Sequence, residues 1–446
     1  MGASVVLLEA DKMGGDCLHY GCVPSKALIA SGHRAASMRA AKEVGIENHT
    51  PTINVASVLG HLKGVIKTIE PHDSAERFES LGVNVIQERG TFLNPQTVQA
   101  GDQLIKARKF IIAAGSQANI PPIEGLEDTP FLTNATLFSI TELPKHLIIL
   151  GGGPIGCEMA QAFRRLGSEV TLLQRSHILH KEDPDLVAPI IEQLKKEGVT
   201  LLENTQIQKA ELINGATQVT FTQEGPTKTV TGSHLLVSAG QKPHTQGLNL
   251  DAGGITHTAQ GITVDARLRT SNKRVYAIGD VIGGPQFTHA ASYHAGIVLR
   301  NALFKLPAKV SYAALPRVTY TDPELAQVGL TGPEATAQNL KFETLTSSFE
   351  RNDRALCEGR SEGFIKILVT PKGKILGAGI VGNHAGELIS PWTLAIQEGL
   401  GVKSLAQSIV PYPTLSEINK RAASEYFIPK LTSASLKGIV SVLKRL

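Results

Sequence analysis

The stretch around which this chain is organised is Gly14-Gly15-Asp16-Cys17-Leu18-His19-Tyr20-Gly21-Cys22-Val23-Pro24-Ser25-Lys26. Its two cysteines, separated by four residues, lie in a glycine-containing turn that is predicted to lead into a helix at Ser25. The spacing allows a disulfide, but crosslinking so short a loop gains little chain entropy. A cysteine near a helix N-terminus with a lysine close by tends to have a lowered pKa and a reactive thiolate. The stretch therefore favours a reversible dithiol.

Two other interpretations of these cysteines stay open from the stretch alone. Zinc would need a second pair of ligands, whereas the remaining cysteines, Cys157 and Cys357, are isolated in the sequence. We therefore expect no metal site. The second alternative is a pair of unrelated buried thiols.

Length and composition narrow the class of protein. A chain of 446 residues predicts two to four domains. Its net charge of +4, without a lysine or arginine cluster, argues against a nucleic-acid partner. No apolar run has the length of a membrane span, and no signal peptide is recognised. Four cysteines in so long a chain indicate a reducing cytoplasm, where a disulfide is usually catalytic.

Two pairs of segments repeat a pattern. Residues 2–9 and 167–174 share G-x-x-V-x-L-L followed by a polar residue, and residues 110–116 and 235–241 are predicted buried strands that run into Ala-Gly. The two repeated patterns occur in the same order along the chain, which indicates a duplicated nucleotide-binding fold.

The second copy has a complete dinucleotide-binding pattern. A predicted strand at residues 145–150 is followed by Gly151-Gly152-Gly153-Pro154-Ile155-Gly156 and a helix to Leu166. This is G-x-G-x-x-G in a strand–turn–helix setting, which places a pyrophosphate at the helix N-terminus. Gln174 and Arg175 follow the next strand and favour the 2′-phosphate of NADPH over NADH. The corresponding residue of the first copy is Glu9, which suits the free adenosine ribose of FAD.

The first copy lacks its own strand–glycine–helix unit. By comparison with residues 145–166, about 22 residues are expected before Gly2, so we expect a late start codon or a truncated chain. The absent unit would hold the FAD pyrophosphate, which makes flavin binding by the chain as written a point to test.

The rest of the chain predicts further parts. Asp280, after a short strand, is placed to bind a ribityl or ribose hydroxyl. From Pro316 the strands and helices indicate an α+β domain. Ser435 to Leu446 is a basic amphipathic segment, which we interpret as a solvated terminal helix rather than a membrane anchor. The expected domains are an FAD domain in two parts (1–125 and 253–313), an NAD(P) domain (126–252) and an interface domain (314–446).

These motifs together resemble the class I pyridine nucleotide–disulfide oxidoreductases, such as dihydrolipoamide dehydrogenase, glutathione reductase and mercuric reductase. The resemblance covers nearly the whole chain, from the cysteine stretch to the C-terminal Tyr412-Pro413-Thr414-Leu415-Ser416-Glu417. The motifs between them are Ala-Ala-Gly-Ser at 113–116, the segment 151–158, Gly279-Asp280, Thr288-His289-Ala290-Ala291 and Ala385-Gly386-Glu387. The implied fold is α/β, with two Rossmann-like domains for FAD and NAD(P) and a C-terminal α+β dimerisation domain.

The resemblance also implies an electron path in a homodimer. NADPH would reduce FAD, and FAD would reduce a Cys17–Cys22 disulfide, with Cys22 as the thiolate nearer the flavin and Cys17 facing the substrate. Lys26 would lie by the flavin and pair with Glu158. The implied FAD site is lined by Glu9, Lys26, Gly90, Ala114, Gly115, Ser116, Asp280, Gln286, Phe287, Thr288 and His289. The implied nicotinamide nucleotide site is lined by Gly151, Gly153, Pro154, Ile155, Gly156, Glu158, Gln174, Arg175 and Gly240.

Two departures from the family leave the electron acceptor open. Members that reduce dithiols or glutathione have a histidine where this chain has Tyr412, while Glu417 is kept. A tyrosine with a pKa of roughly 10 is a poor base at neutral pH. Mercuric reductases carry a cysteine pair near the C-terminus, and this chain has no cysteine after Cys357. The acceptor is therefore expected to be a small molecule or small thiol. The alternatives are a metal ion or quinone reductase, or a non-catalytic nucleotide-binding protein.

Overall fold

A computed structural model of the protein describes residues 2–431 and 433–444. The first part of the chain combines a helical layer with short strands. Its elements are β1 (Val5–Leu8), α1 (Gly15–His19), α2 (Cys22–Arg39), α3 (Val55–Ile69), α4 (Ala75–Ser80), β2 (Val83–Ile86), β3 (Gly90–Asn94), β4 (Thr97–Ala100), β5 (Gln103–Lys106), β6 (Phe110–Ile112) and β7 (Ser116–Ala118). β1 runs parallel to β2, and β3, β4 and β5 form an antiparallel meander.

The second part is a parallel sheet flanked by helices and an antiparallel sheet. Its elements are α5 (Asn134–Leu137), β8 (His146–Leu150), α6 (Pro154–Leu166), β9 (Glu169–Leu173), α7 (Pro184–Lys196), β10 (Thr200–Leu202), β11 (Gln206–Ile213), β12 (Ala216–Thr222), β13 (Thr227–Gly232), β14 (His234–Val237) and β15 (Gln241–Pro243). The parallel sheet has the order β10-β9-β8-β14, so the strand before the glycine turn lies at its centre. Its apolar strands are buried on both faces because α6 and α7 cover one face and β11 to β13 the other.

The chain then returns to the first part. The elements here are β16 (His257–Thr258), β17 (Gly261–Ile262), β18 (Val275–Ala277) and α8 (Thr288–Ala302). β18 pairs in parallel with β6, and its other edge is bridged by Arg269 opposite Tyr276. The first part is therefore assembled from two separate stretches of the chain.

The C-terminal part packs helices on a five-stranded antiparallel sheet of order β19-β20-β23-β22-β21. Its elements are β19 (Arg317–Thr319), β20 (Glu324–Gly329), α9 (Gly332–Ala337), β21 (Glu343–Ser348), α10 (Asp353–Cys357), β22 (Phe364–Val369), β23 (Ile375–Gly382), α11 (Ala385–Leu388), α12 (Ser390–Gln397), α13 (Val402–Ala406), α14 (Glu417–Glu425), α15 (Ile428–Leu431) and α16 (Ala434–Leu443). The fully buried Trp392 anchors its core and donates a hydrogen bond to Asn419 Oδ1 at 2.8 Å. Arg445 and Leu446, the end of the predicted C-terminal segment, lie outside the described residues.

The first sheet is split, which corrects part of the strand prediction. β1 is shorter than the predicted strand and its Val5 is 46% exposed, while Ile111 in β6 is 53% exposed, although both segments were expected to be buried. In the second copy β8 lies between β9 and β14; among the described residues no strand lies on the free edges of β1 and β6. Ile111 is exposed while the next residue of β6, Ile112, is buried, so one face of this strand is uncovered.

Contacts between α2 and α6 position the redox stretch against the second part. A Cβ on Gly32 would lie 3.4 Å from the Ala162 backbone, so glycine lets the two helices approach closely. Near the end of α6, the buried Arg165 pairs with Glu197 at 2.6 Å and with Asp322 at 2.9 Å. Arg360 pairs with the same aspartate. This ion network ties α6 to the C-terminal part. The domain boundaries given above stay a prediction.

In the part of the chain that the structure describes, no helix combines the length and the apolar character needed to cross a membrane.

Candidate active site

The two cysteines of the redox stretch lie at neighbouring helix positions. Cys17 is inside α1 and Cys22 is the first residue of α2, so the predicted turn is mostly helical and the helix begins three residues before Ser25. Gly14 and Gly15 supply the positive φ angles that lead into α1. Backbone donation from Ser25 to the Gly21 carbonyl, at 3.1 Å, starts α2 early. Both cysteines are free thiols in this structure.

The charge on this dithiol belongs to one sulfur. The pKa of Cys22 is lowered to about 5, chiefly by the hydrogen bond with Cys17, helped by Thr288 and the charge of Lys26 and opposed by burial. The same hydrogen bond and burial raise the pKa of Cys17. The lowered pKa expected near a helix N-terminus is therefore found at Cys22 alone. The reduced pair is a thiolate at Cys22 and a thiol at Cys17.

Lys26 is held beside the dithiol by a buried carboxylate. Its Nζ lies 2.9 Å from Glu158 Oε2, and the Tyr320 backbone N–H donates to Glu158 Oε1 at 3.0 Å. The ammonium also lies 4.3 Å from the centre of the Tyr320 ring. Glu158 extends from the first turns of α6, so the glycine-turn helix and the redox helix meet at this ion pair. The predicted pairing of Lys26 with Glu158 is present.

Acidic groups line the other side of the cysteines. Ser116 donates to Asp280 Oδ2 at 2.7 Å, and Asn134 donates to Asp16 Oδ1 at 2.9 Å. Burial raises the pKa of Asp280, and burial together with the charges of Asp280 and Cys22 raises the pKa of Asp16. A buried carboxylate with a spare oxygen is suited to accept a hydrogen bond from a ligand hydroxyl. No described residue donates to the second oxygen of Asp280.

This chemistry fits the ribityl side of FAD. Gly115 has φ +70° with open space where a Cβ would be, next to the Ser116–Asp280 hydrogen bond. The strand-end Glu9 is half-buried, with one carboxylate oxygen held by the Asp11 N–H. In the second copy, a glycine turn at 151–156 and a helix come before β9. Among residues 2–431 and 433–444, no such glycine turn comes before β1, the corresponding strand of the first copy. The residues present therefore fit the redox end of the cofactor better than its pyrophosphate.

The remaining residues predicted for FAD are held by protein contacts. Gly90 leaves room for Leu8, because a Cβ there would lie 2.7 Å from its side chain. Phe287 stacks on His289, whose Nε2 lies 2.8 Å from the Pro316 carbonyl oxygen. The other two behave similarly: Gln286 donates to the Gln241 carbonyl at 3.5 Å, and Ala114 packs against the core beside β6.

The glycine turn after β8 has the form that a pyrophosphate requires. A Cβ on Gly156 would overlap the Gly151 carbonyl oxygen, whereas Gly153 has nothing within 4 Å of its missing Cβ. No side chain caps the N-terminus of α6, where Pro154 and Ile155 form the first turn. Pro154 has no backbone N–H, so the N–H groups of Ile155 and Gly156 are the donors available to an anion at this end of α6. Gly240, at the end of β14, has φ +95° and equally open space.

Two side chains beyond β9 bear on the choice of nucleotide. The Gly152 N–H donates to Gln174 Oε1 at 2.8 Å, and Gln174 Nε2 donates to Ser176 at 2.9 Å. Both polar atoms of the Gln174 side chain are therefore occupied by hydrogen bonds within the protein. Arg175 is exposed and has no hydrogen-bond or ion-pair partner in the described part of the chain.

The C-terminal motif stands apart from this cluster. The exposed Tyr412 donates its hydroxyl hydrogen to Asp353 Oδ2 at 3.0 Å, and this bond raises its pKa. Glu417 begins α14 and is half-buried. Among the described residues, neither is hydrogen-bonded to Cys17 or Cys22.

Sequence reasoning missed several of these partners. Asp16 lies in the quoted stretch, and its place beside a cysteine is the one signal that could have marked it. Tyr320 and Asp353 come from segments remote in sequence and carry no local signal. His19, which lies between the two cysteines in the sequence, places its Nε2 2.8 Å from the Met13 carbonyl oxygen.

Known proteins resemble this chain in sequence and in fold. The sequence pattern described as "Pyridine nucleotide-disulphide oxidoreductase" matches residues 1–295, and that of the family's dimerisation domain matches residues 315–423. The chain belongs to the pyridine nucleotide-disulphide oxidoreductases. The family and the fold class inferred from the motifs are thereby confirmed.

Relatives of this oxidoreductase include enzymes with different acceptors. It is 33% identical to a mercuric reductase of Staphylococcus aureus over 95% of this chain and 78% of the relative. It is 35% identical to a dihydrolipoyl dehydrogenase of Geobacillus stearothermophilus over 95% and 91%. A solved Cu(II) complex of the HOCl-induced flavoprotein disulfide reductase RclA from Escherichia coli matches with a TM-score of 0.85 at 26% identity, over 97% and 95% of the two chains.

Family membership fixes the general reaction. The protein is an FAD-dependent disulfide oxidoreductase that takes its electrons from a pyridine nucleotide and contains a dimerisation domain. The chemistry that bound FAD supplies is the conversion of a hydride from the nicotinamide into an electron pair for a disulfide. The contribution of this chain lies in holding the nucleotide, orienting the dithiol and setting its charge.

Proposed function

We propose that this protein is an NADPH-dependent disulfide oxidoreductase whose reduced dithiol delivers electrons to an acceptor that needs no C-terminal general base. The proposal rests on the unequal surroundings of the two cysteines. Cys22 lies at the start of α2 with its Sγ 3.5 Å from Thr288 Oγ1, and a hydrogen bond between the two sulfurs lowers the pKa of Cys22 and raises that of Cys17. Cys17 is the sulfur that attacks the acceptor. With a disulfide acceptor, the Cys17 proton passes to Cys22 as Cys17 bonds to one acceptor sulfur and the acceptor S–S bond breaks. Cys22 then gives this proton to the departing thiolate and attacks Cys17, which re-forms the Cys17–Cys22 disulfide and releases the second acceptor thiolate, so no histidine is required.

The surrounding residues keep this division of charge. Lys26 stabilises the Cys22 thiolate, and Glu158 holds the lysine in place from α6. Thr288, whose Oγ1 lies 3.5 Å from Cys22 Sγ, donates to the thiolate. Burial and the charges of Asp280 and Cys22 together raise the pKa of Asp16, which limits the negative charge that this carboxyl places beside the thiolate.

The nucleotide preference follows from Arg175. An exposed guanidinium without a protein partner, next to the end of β9, is suited to a 2′-phosphate. We place the working enzyme in the cytoplasm as a homodimer, because its dithiol needs a reducing compartment and the family's dimerisation domain is present.

A metal ion is the second candidate acceptor. Tyr412 donates its hydroxyl hydrogen to Asp353 and its pKa is raised, so the residue at the family's histidine position keeps its proton at neutral pH and cannot act as the base in thiol exchange. A metal ion needs no such proton. Relatives include mercuric reductases, and RclA was solved as a Cu(II) complex.

One kinetic series tests the proposal. NADPH oxidation by the FAD-loaded protein is measured with lipoamide, oxidised glutathione, Hg²⁺, Cu²⁺ and a quinone, for the parent, Cys17→Ser and Tyr412→Phe. We expect Cys17→Ser to abolish turnover and Tyr412→Phe to leave it unchanged. Turnover that survives Cys17→Ser would show direct transfer from the flavin, and a large loss in Tyr412→Phe would assign the tyrosine a role in proton transfer.

A further inference from the structure

The C-terminal helix α16 exposes an apolar face. Four of its five larger apolar side chains, Leu436, Ile439, Val440 and Leu443, have the spacing of one helix face. The fifth, Val442, is 62% exposed and lies on the flank of that face away from Lys437 and Lys444. Ile439 is 55% exposed and Leu443 is 60% exposed. No residue of α16 whose burial is described is buried. The core of the C-terminal part ends at Tyr426 and Phe427, before this helix begins.

The same segment carries charge of one sign. From Tyr426 to the end of the chain there are three lysines and one arginine, and no aspartate or glutamate. Lys437 and Lys444 are exposed and lie two helical turns apart, on the flank of the apolar face. Together with Leu431, Leu436, Val440 and Ser441 they line an open groove between α15 and α16. Lys430, at the end of α15, is also exposed and lies over the Tyr426 ring.

We propose that α16 binds the surface of an anionic lipid bilayer, with its apolar face among the acyl chains and its lysines at the phosphate groups. A basic flank beside an exposed apolar stripe is the pattern of helices that lie in the membrane interface. Ten residues of helix are about 15 Å long, so the segment lies on a bilayer and does not span it.

Charge decides between this partner and a second copy of the chain. Two copies of α16 packed face to face would bring lysines of like charge together, and the segment contains no acid to offset them. Anionic headgroups complement every charge of the segment. Each lysine is expected to strengthen binding about fivefold at moderate salt.

Vesicle co-sedimentation of the FAD-loaded full chain tests the proposal. We expect binding to vesicles of equal parts phosphatidylcholine and phosphatidylglycerol, weak binding to pure phosphatidylcholine, and loss of binding at high salt. Lys437→Gln with Lys444→Gln should weaken binding about 25-fold, as the product of two such factors. Ile439→Ser with Leu443→Ser should abolish it. All variants should keep the parent's NADPH turnover, because α16 lies outside the redox site.

Matched control variants distinguish binding through α16 from nonspecific adsorption to vesicles. Lys372→Gln removes an exposed lysine in the turn before β23, and Leu104→Ser removes an exposed leucine in β5; neither should change vesicle binding. Equal binding to both vesicle types, or equal losses in the controls, would overturn the proposal. A fall in molar mass by light scattering in Ile439→Ser with Leu443→Ser would also overturn it, because a second copy would then cover the face.

Discussion

The hydrogen bond between the two thiols controls the charge of Cys22, and a pair of substitutions at Cys17 measures it. Serine keeps a donor at this position and alanine removes it. A hydrogen bond to a charged group contributes about 1.5–3 kcal/mol, and 1.36 kcal/mol corresponds to about one pKa unit. Starting from a Cys22 pKa of about 5, we expect Cys17→Ala to raise that pKa by about one to two, and Cys17→Ser to raise it much less.

The assay is the rate of alkylation of Cys22 as a function of pH, since the thiolate is the form that reacts. All variants carry Cys357→Ser, because Cys357 is exposed and would react as well, whereas Cys157 is fully buried. At a pH near 6 the serine variant should react close to its maximal rate and the alanine variant well below it. Coincident pH profiles for the two variants would refute the assignment of the low pKa to this hydrogen bond.

Three further results are expected. Lys26→Met leaves the buried Glu158 without its cation and should lower the free energy of unfolding by about 1–3 kcal/mol, as measured by urea denaturation. The double variant Lys26→Met with Glu158→Gln should recover most of this loss. No recovery in the double variant would contradict the pairing. Arg175→Ala should raise the KM for NADPH about 10- to 100-fold and leave that for NADH unchanged, as steady-state kinetics will show; equal effects on both nucleotides would argue against a 2′-phosphate contact. Although burial opposes it, Arg165 and Arg360 lower the pKa of Asp322, so its ion pairs stabilise the fold above pH about 4 and this contribution disappears as the pH falls through the lowered pKa. Asp322→Asn should therefore lower the free energy of unfolding at neutral pH, and the variant should lose less further stability than the parent on acidification. Urea denaturation at pH 7 and at a pH of about 3 checks this. An equal loss of stability on acidification in parent and variant would contradict it.

Local patterns predicted the second nucleotide-binding unit well. Only glycine fits at Gly151 and Gly156, where a Cβ would collide with backbone atoms, and α6 begins between them at Pro154; the glycine spacing and the proline are both visible in the sequence. The sequence predicted that α2 starts at Ser25, whereas it starts at Cys22. Its first turn is closed by a backbone hydrogen bond to Gly21, and there is no side-chain cap that would mark this start in the sequence. The pairs Lys26–Tyr320 and Tyr412–Asp353 join remote segments, so only the folded chain reveals them.

Burial in the first sheet could not be predicted from composition. Val5 and Ile111 belong to apolar strands that look as buried as β9 and β14. Their exposure depends on whether another element packs over the faces of the strands, which the residues of the strands themselves do not encode. The acceptor is similarly unmarked, because the dithiol is the same whichever molecule it reduces.

The most direct test of the account is a count of thiols before and after NADPH. The FAD-loaded protein is oxidised, treated anaerobically with NADPH, alkylated, and digested for mass spectrometry. We expect a Cys17–Cys22 disulfide in the oxidised protein and alkyl groups on both cysteines after NADPH, with Cys157 unchanged. NADPH that is consumed while the Cys17–Cys22 disulfide persists would contradict the proposed electron path.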